Sequence, residues 1–206
     1  QTWVEKHNPI KYVNNMHIGL FFGSFNPIHV GHMAIANYMV EFTDMDQLWF
    51  VVSPQNPLKE KKTLLGQNQR LYMVNVAVED YPKFKSSSIE FDLPQPSYTV
   101  NTLAHLKEKY PQHTFSLIIG QDNLVTFDKW KNYEEILKQF KLFVYPRPGC
   151  GASQFDKHPN VIFTEAPMMD ISSTFIRNAI KEKKDIRFYL PEKAWEYVDS
   201  MNFYKK

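Results

Sequence analysis

The sequence predicts an α/β fold, a doubly wound parallel sheet with a small helical C-terminal lobe. Three observations predict it. Short apolar runs of strand length recur without polar alternation, as in strands buried on both faces. Stretches with apolar residues at helical spacing separate them. Strands alternating with helices over many units are satisfied by parallel pairing with right-handed crossovers and helices on both faces.

Ile18 to Phe22 is an apolar run closed by Gly23, the first predicted strand. Val30 to Phe42 follows as a helix, with Ala34, Ile35, Tyr38, Met39 and Phe42 at helical spacing. Leu48 to Val52 is a second strand, ended by Ser53-Pro54. Gln67 to Val78 places Leu71, Met73, Val74 and Val78 on one helical face. A strand near Ser88 to Phe91, a helix over Thr99 to Lys109 and a strand from Phe115 to Ile119 continue the pattern. A helix from Tyr133 to Phe140 leads into a strand from Leu142 to Tyr145. Val161 to Phe163 reads as an edge strand, and Ser173 to Lys183 and Pro191 to Met201 as helices. The loops at 53–66 and 146–159 are long for a compact domain, a mark of functional loops. We read residues 16–206 as one domain and residues 1–15 as an N-terminal extension.

A chain of 206 residues buries enough apolar surface to fold without staples. Its 43% hydrophobic and 22% charged content is that of an ordinary globular protein. A net charge of +2 makes no case for a nucleic-acid partner or a membrane surface. Cys150 is the single cysteine, which excludes an internal disulfide and suits a reducing, cytoplasmic setting. No apolar run reaches the roughly 18 residues of a membrane span, and the polar start lacks a signal-peptide core.

In open parallel sheets, ligands bind beyond the carboxyl ends of the strands. Directly after the first strand comes Gly23-Ser24-Phe25-Asn26-Pro27-Ile28-His29-Val30-Gly31-His32, running into a helix. Gly23 and Gly31 open the backbone to a ligand, and a helix start offers unpaired N–H groups and a positive dipole end to an anion. His29 and His32 add donors on either side of Gly31, and a nearby polyanion favours their protonated forms. No Gly-Lys-Ser/Thr follows, so this is not a Walker loop. Ile171-Ser172-Ser173-Thr174-Phe175-Ile176-Arg177 opens a later helix. Its hydroxyls serve either as helix caps or, with Arg177, as a second anion cradle.

The His29-Val30-Gly31-His32 segment resembles the signature of the nucleotidyltransferases related to class I aminoacyl-tRNA synthetases, which implies a Rossmann-like sheet. By that resemblance His29 and His32 bind the ATP phosphates and stabilise the transition state at the α-phosphorus. The Ile171–Arg177 segment is similar to the second ATP signature of those enzymes. ATP contacts are thereby implied for Gly23, Ser24, Phe25, Gly31, Ile171, Ser172, Ser173 and Arg177. Pro96-Ser97-Tyr98-Thr99, Ile118-Ile119-Gly120-Gln121-Asp122 and Phe127-Asp128-Lys129-Trp130 resemble the bacterial nicotinate mononucleotide adenylyltransferases. The likeness runs from about Ile18 to the C-terminus. It implies that Thr99 and nearby backbone hold the nicotinate carboxylate, that Trp130 stacks on the pyridine ring, and that Asp122 serves the ribose. From chemistry alone, Thr99 and Asp122 also read as helix N-caps and Trp130 as a core residue.

Phe22 stands where many members have a second Gly, and Asn26 where they have Asp. A loop that often reads Pro-Pro-His-Lys is here Asn56-Pro57-Leu58-Lys59, with Asn56 assigned to the mononucleotide and Lys59 to phosphate. Arg70 reads as a helix-surface charge. The implied reaction joins ATP and nicotinate mononucleotide and releases pyrophosphate. No carboxylate cluster forms a dedicated metal cage, so Mg²⁺ is expected to arrive with ATP. The alternatives are a sister transferase acting on nicotinamide mononucleotide or phosphopantetheine, and a non-catalytic nucleotide sensor. The Ser97-Tyr98-Thr99 stretch argues against phosphopantetheine, and intact His29, His32 and Arg177 against a sensor.

Overall fold

The computed structural model describes residues 15–54 and 64–205. Six parallel strands lie in the order β3-β2-β1-β4-β5-β6. They are β1 (His17–Gly23), β2 (Gln47–Val52), β3 (Phe84–Ser87), β4 (Thr114–Gly120), β5 (Lys141–Tyr145) and β6 (Val161–Phe163). The helices are α1 (Val30–Phe42), α2 (Gln67–Val78), α3 (Thr99–Lys109), α4 (Gln121–Val125), α5 (Tyr133–Gln139), α6 (Ser173–Lys181) and α7 (Glu192–Ser200). The strand order reverses between β1 and β4, which is where such sheets open a crevice for ligands.

The strict alternation of side chains along a strand divides the core in two. Leu48, Phe50 and Val52 of β2, Ile118 of β4 and Phe143 and Tyr145 of β5 face one cluster. Trp49 and Val51, Phe115, Leu117 and Ile119, and Leu142 and Val144 face the other. Helices α1, α2, α6 and α7 cover the first cluster, while α3 and α5 cover the second. The C-terminal helices therefore complete the layer begun by α1 and α2. Among the described residues, no helix is long and apolar enough to cross a membrane.

The observed β3 lies at Phe84–Ser87, and the predicted strand near Ser88 to Phe91 is a turn. Pairing decides the position: Leu48 to Val51 of β2 match Phe84 to Ser87 in register. Ile89 and Phe91, whose apolarity suggested a strand, pack against opposite clusters from the turn. The predicted helix to Lys183 stops at Lys181, because Lys183 turns into the left-handed region at φ 60°. Lys183 N and Lys184 N then bond back to Ile180 O and Ala179 O, closing the helix end without glycine. The helix predicted over Pro191 to Met201 has Pro191 as its N-cap and Met201 as its C-cap.

Arg70 is no surface charge. It is fully buried on α2. Its guanidinium donates to Leu65 O (2.9 Å), Ser24 O and Ser53 O (both 2.7 Å) and Pro54 O (2.6 Å). These carbonyls belong to the segments leaving β1 and β2 and to the entry of α2, and the planar fork suits several fixed acceptors at once. Arg70→Met removes every one of these donors and strands buried acceptors, so we expect a loss of about 3 kcal/mol in unfolding free energy. Urea titration checks it, and a variant within about 0.5 kcal/mol of the parent would refute the assignment.

Candidate active site

The chain leaves β1 at Gly23 and reaches α1 at Val30. Phe25, between them, is left-handed at φ 44° and only 2% exposed. Its ring packs against Phe50 (5.6 Å between centroids) and His32 (5.1 Å). A Cβ on Gly23 would lie 2.8 Å from that ring, so Gly23 makes room for Phe25.

The turn at Phe25 is fastened by the second motif. Arg177 Nη1 donates to Asn26 O at 2.9 Å, and Ser173 Oγ donates to Pro27 O at 2.9 Å. Arg177 Nη2 also donates to Thr174 Oγ1 at 3.2 Å, while its Nε is buried without a partner. Asn26, 5% exposed, accepts on Oδ1 from Tyr204 Oη (2.7 Å) and Leu65 N (3.3 Å). Asn26 is thus an internal strut, and the amide oxygen does this without the charge of the more usual acid. Ser172 caps α6 by accepting from Phe175 N at 3.1 Å, so its capping role is realised.

His29 is the N-cap residue of α1 and His32 lies three positions on. Their rings stack at 3.6 Å with 26° between planes. His29 N donates to His32 Nδ1 at 3.2 Å. A backbone N–H can only donate, so the neutral His32 ring carries its proton on Nε2. A Cβ on Gly31 would stand 3.0 Å from His29 Nδ1 and 3.5 Å from Ile171 Cβ. Glycine here lets both histidines and the second motif share one small space. The first turn of α1 holds no acidic residue, which leaves its dipole end unopposed. His29 is 4% exposed, and burial, aided by the Arg147 charge, lowers its pKa to about 3. His29 is neutral near pH 7 in the free protein.

Arg147 was not singled out from the sequence. It follows β5 inside Pro146-Arg147-Pro148, and a cation fixed between two prolines beyond a parallel strand was the available signal. Its guanidinium lies over the Tyr145 ring (5.3 Å to the centroid), with Nε 3.7 Å from Asp122 Oδ1. Nη1 donates to Met169 O at 3.3 Å, just before the second motif. Arg147 therefore connects the end of β4 with the segment entering α6.

Asp122 is exposed in the first turn of α4, whose N-cap is Gly120. Thr99 is the first residue of α3, capped by Tyr98. Neither is the N-cap residue of its helix. Trp130 is half-buried, packed on the second cluster with its ring 5.2 Å from Phe127 and part of the indole exposed. Lys131, beside it, holds its ammonium 4.4 Å from the centre of the Tyr98 ring, so the Trp130 and Thr99 segments meet. Asn56 and Lys59 lie outside the described residues. Among the described residues, no three His, Cys, Asp or Glu side chains are grouped to hold a metal ion.

Residues 20–179 match the model of the cytidylyltransferase-like family. A protein of Flavobacterium johnsoniae named "Probable nicotinate-nucleotide adenylyltransferase" is 60% identical over 193 residues, covering 93% of this chain and 100% of its own length. One of Bacteroides thetaiotaomicron with the same name is 49% identical, covering 90% of this chain and 92% of its own. The fold is similar to that of a Plasmodium falciparum nicotinic acid mononucleotide adenylyltransferase solved with NaAD, at a TM-score of 0.79 and 20% identity. That likeness covers 93% of this chain and 98% of the other.

The buried His29 ring gives a test that needs no substrate. Its folded pKa of about 3 lies below its ordinary 6.5, so the unfolded chain binds the extra proton between these values. The contribution to stability is full above pH 6.5 and is lost as pH falls toward 3. We expect His29→Gln to lose less stability than the parent between pH 7 and about 4.5, measured by urea unfolding at each pH. Equal losses would mean that the ring already carries a proton in the folded chain.

Proposed function

We propose that this chain, which belongs to the cytidylyltransferase-like family, transfers the adenylyl group of ATP to nicotinate mononucleotide, a step of NAD biosynthesis. The products are nicotinate adenine dinucleotide and pyrophosphate. The observation that carries this reading is the meeting of His29, His32, Ser173 and Arg177 around one loop at the carboxyl end of β1. The relative that shares 60% of its residues over nearly the whole chain supports the choice of acceptor. We assign the activity to residues 16–206, within a cytoplasmic protein.

In this reaction an oxygen of the mononucleotide phosphate attacks the α-phosphorus of ATP. The bond from that phosphorus to the β-phosphate bridge breaks, and pyrophosphate leaves. The nucleophile is already an anion, so no general base is needed. What the protein supplies is alignment of two polyanions and donors for the charge that gathers at phosphorus. His32 is suited to donate from Nε2, because its Nδ1 is engaged by His29 N. His29 meets the triphosphate as a neutral ring that the arriving negative charge drives toward protonation. Arg177 has a fixed guanidinium one turn into α6, and the backbone of Gly23, Ser24, Phe25, Gly31 and Ile171 with the Ser172 and Ser173 hydroxyls line the phosphate path. Asn56 for the mononucleotide and Lys59 for phosphate are assigned from the sequence motif alone. Mg²⁺, brought with ATP, would supply charge neutralisation on the phosphates, with no carboxylate cage needed from the chain.

On the acceptor side, the half-buried Trp130 indole suits a flat pyridinium ring through stacking and cation–π attraction. Thr99 and the N–H groups starting α3 donate to the carboxylate, and Asp122 accepts from ribose hydroxyls. Arg147, bridging Asp122 and Met169, is placed for the phosphates between the two halves.

Incubation with ATP and nicotinate mononucleotide is expected to yield pyrophosphate and the dinucleotide in equal amounts. A nucleotide sensor would yield neither. His32→Ala should lower kcat by about 10²-fold with little change in KM for ATP, the mark of a donor acting on the transition state. A raised KM with kcat intact would show ground-state binding alone. Trp130→Ala should raise KM for the mononucleotide about tenfold while leaving that for ATP near its parent value. An equal rise in both KM values would assign Trp130 to packing.

A further inference from the structure

Lys131 belongs to none of the motifs that suggested the site, yet its position is constrained. Its ammonium rests 4.4 Å from the centre of the Tyr98 ring. A cation over a ring face is drawn to the negative side of the quadrupole, which restrains a long surface side chain. Tyr98 caps α3, so the charge is stationed beside the helix start that carries Thr99.

The same helix start already has a resident carboxylate. Glu90 is 3% exposed, and its oxygens accept from Ser97 Oγ at 3.1 Å and Thr102 Oγ1 at 2.8 Å. Its backbone oxygen accepts from Gln95 Nε2 at 3.1 Å, which ties the 88–98 turn onto α3. A substrate carboxylate seated at the first N–H groups of α3 brings a negative charge to this helix start, and a neutral amide does not. Asp128, Lys129 and Glu134, near Lys131 in sequence, are exposed, and among the described residues it is Lys131 whose ammonium lies over the Tyr98 ring. Backbone donors supply directional hydrogen bonds, and the cation over Tyr98 adds a charge that favours only the acid.

We propose that Lys131 is a specificity-determining residue, favouring a pyridine nucleotide that bears a carboxylate over its neutral amide. The inference rests on the adenylyltransferase reading above and adds to it the charge that selects the acid. Lys131 acts as a net charge, whereas the α3 donors and Thr99 supply directional hydrogen bonds. Two properties follow. The selection is weakened by salt, because an exposed charge is screened, and arginine preserves it.

The test is the ratio of kcat/KM for nicotinate mononucleotide to that for nicotinamide mononucleotide, at one saturating ATP concentration. Lys131→Met is expected to lower this ratio about fivefold, the effect of losing one exposed ion pair at the upper end of its range. Lys131→Glu should lower it further, and Lys131→Arg should keep it. Raising ionic strength should shrink the ratio of the parent while leaving that of Lys131→Met nearly flat. The KM for ATP serves as the gauge of an intact ATP half in each variant. Acid and amide turnover reduced by the same factor in Lys131→Met, or an unaltered ratio, overturns the proposal. A parent enzyme that forms dinucleotide from neither mononucleotide overturns the adenylyltransferase reading, and the selectivity inference falls with it.

Discussion

The rest of the site depends on how the loop between β1 and α1 is held. That loop leaves a parallel strand, turns through a left-handed phenylalanine and presents its carbonyls to other elements. Buried carbonyls must be paired, and here two guanidinium groups do much of the pairing. Arg70 takes Ser24 O from the α2 side, and Arg177 takes Asn26 O from the α6 side. Ser173 takes Pro27 O, and Tyr204, near the end of the chain, takes the Asn26 side chain. Residues from 24 to 204 are in this way joined around one short turn. The position of His29 and His32 follows from it, because the same turn delivers the chain into α1.

This arrangement gives Arg177 two roles that act at once. It fastens the first motif, and it keeps its guanidinium at the place where phosphate is proposed to bind. Ser172 shares this economy, since its hydroxyl caps α6 while standing at an anion-favouring helix start. A substitution at either position would therefore disturb geometry along with chemistry. Arg147 differs. Its partners are Asp122, Tyr145 and Met169, so it joins the β4, β5 and α6 ends across the switch point. Its charge also helps keep His29 neutral until a polyanion offsets it.

The two halves of the proposed site are organised by different physics. The first gathers a helix start, stacked imidazoles and fixed cations, a set that suits the proposed phosphates. The second gathers the half-buried Trp130, the start of α3 and a turn anchored by the buried Glu90, a set that suits the proposed pyridine ring. Helix α3 ties this second half to the sheet through Leu103 and Leu106 in the second core cluster. The site thus draws rigidity from both faces of the sheet.

The periodicity of the sequence was enough for α1, α2 and α3, whose apolar spacing is strong, and for buried strands such as β2 and β5. Those features are local, and local sterics and burial decide them. The two motifs that the structure brings together around the β1–α1 loop were legible too, because glycine, histidine and serine at a strand-to-helix junction form a narrow chemical pattern. The shift of β3 to Phe84–Ser87 was not legible, since pairing with β2 outweighs the apolar content of the following turn. Nor was the burial of Arg70, because helical spacing places a residue on a face without saying which carbonyls converge there. The contact that requires glycine at position 23, the Phe25 ring, was not legible either. Arg147, Glu90, Tyr204 and Lys131 acquire meaning only from partners distant in sequence or set by a turn. The sequence by itself determined the layers of the fold and the family of the chain, because these follow from short-range patterns. Tertiary structure alone decided which side chains hold those residues in place and how their charge is set, because hydrogen bonding and desolvation depend on what the folded chain brings alongside.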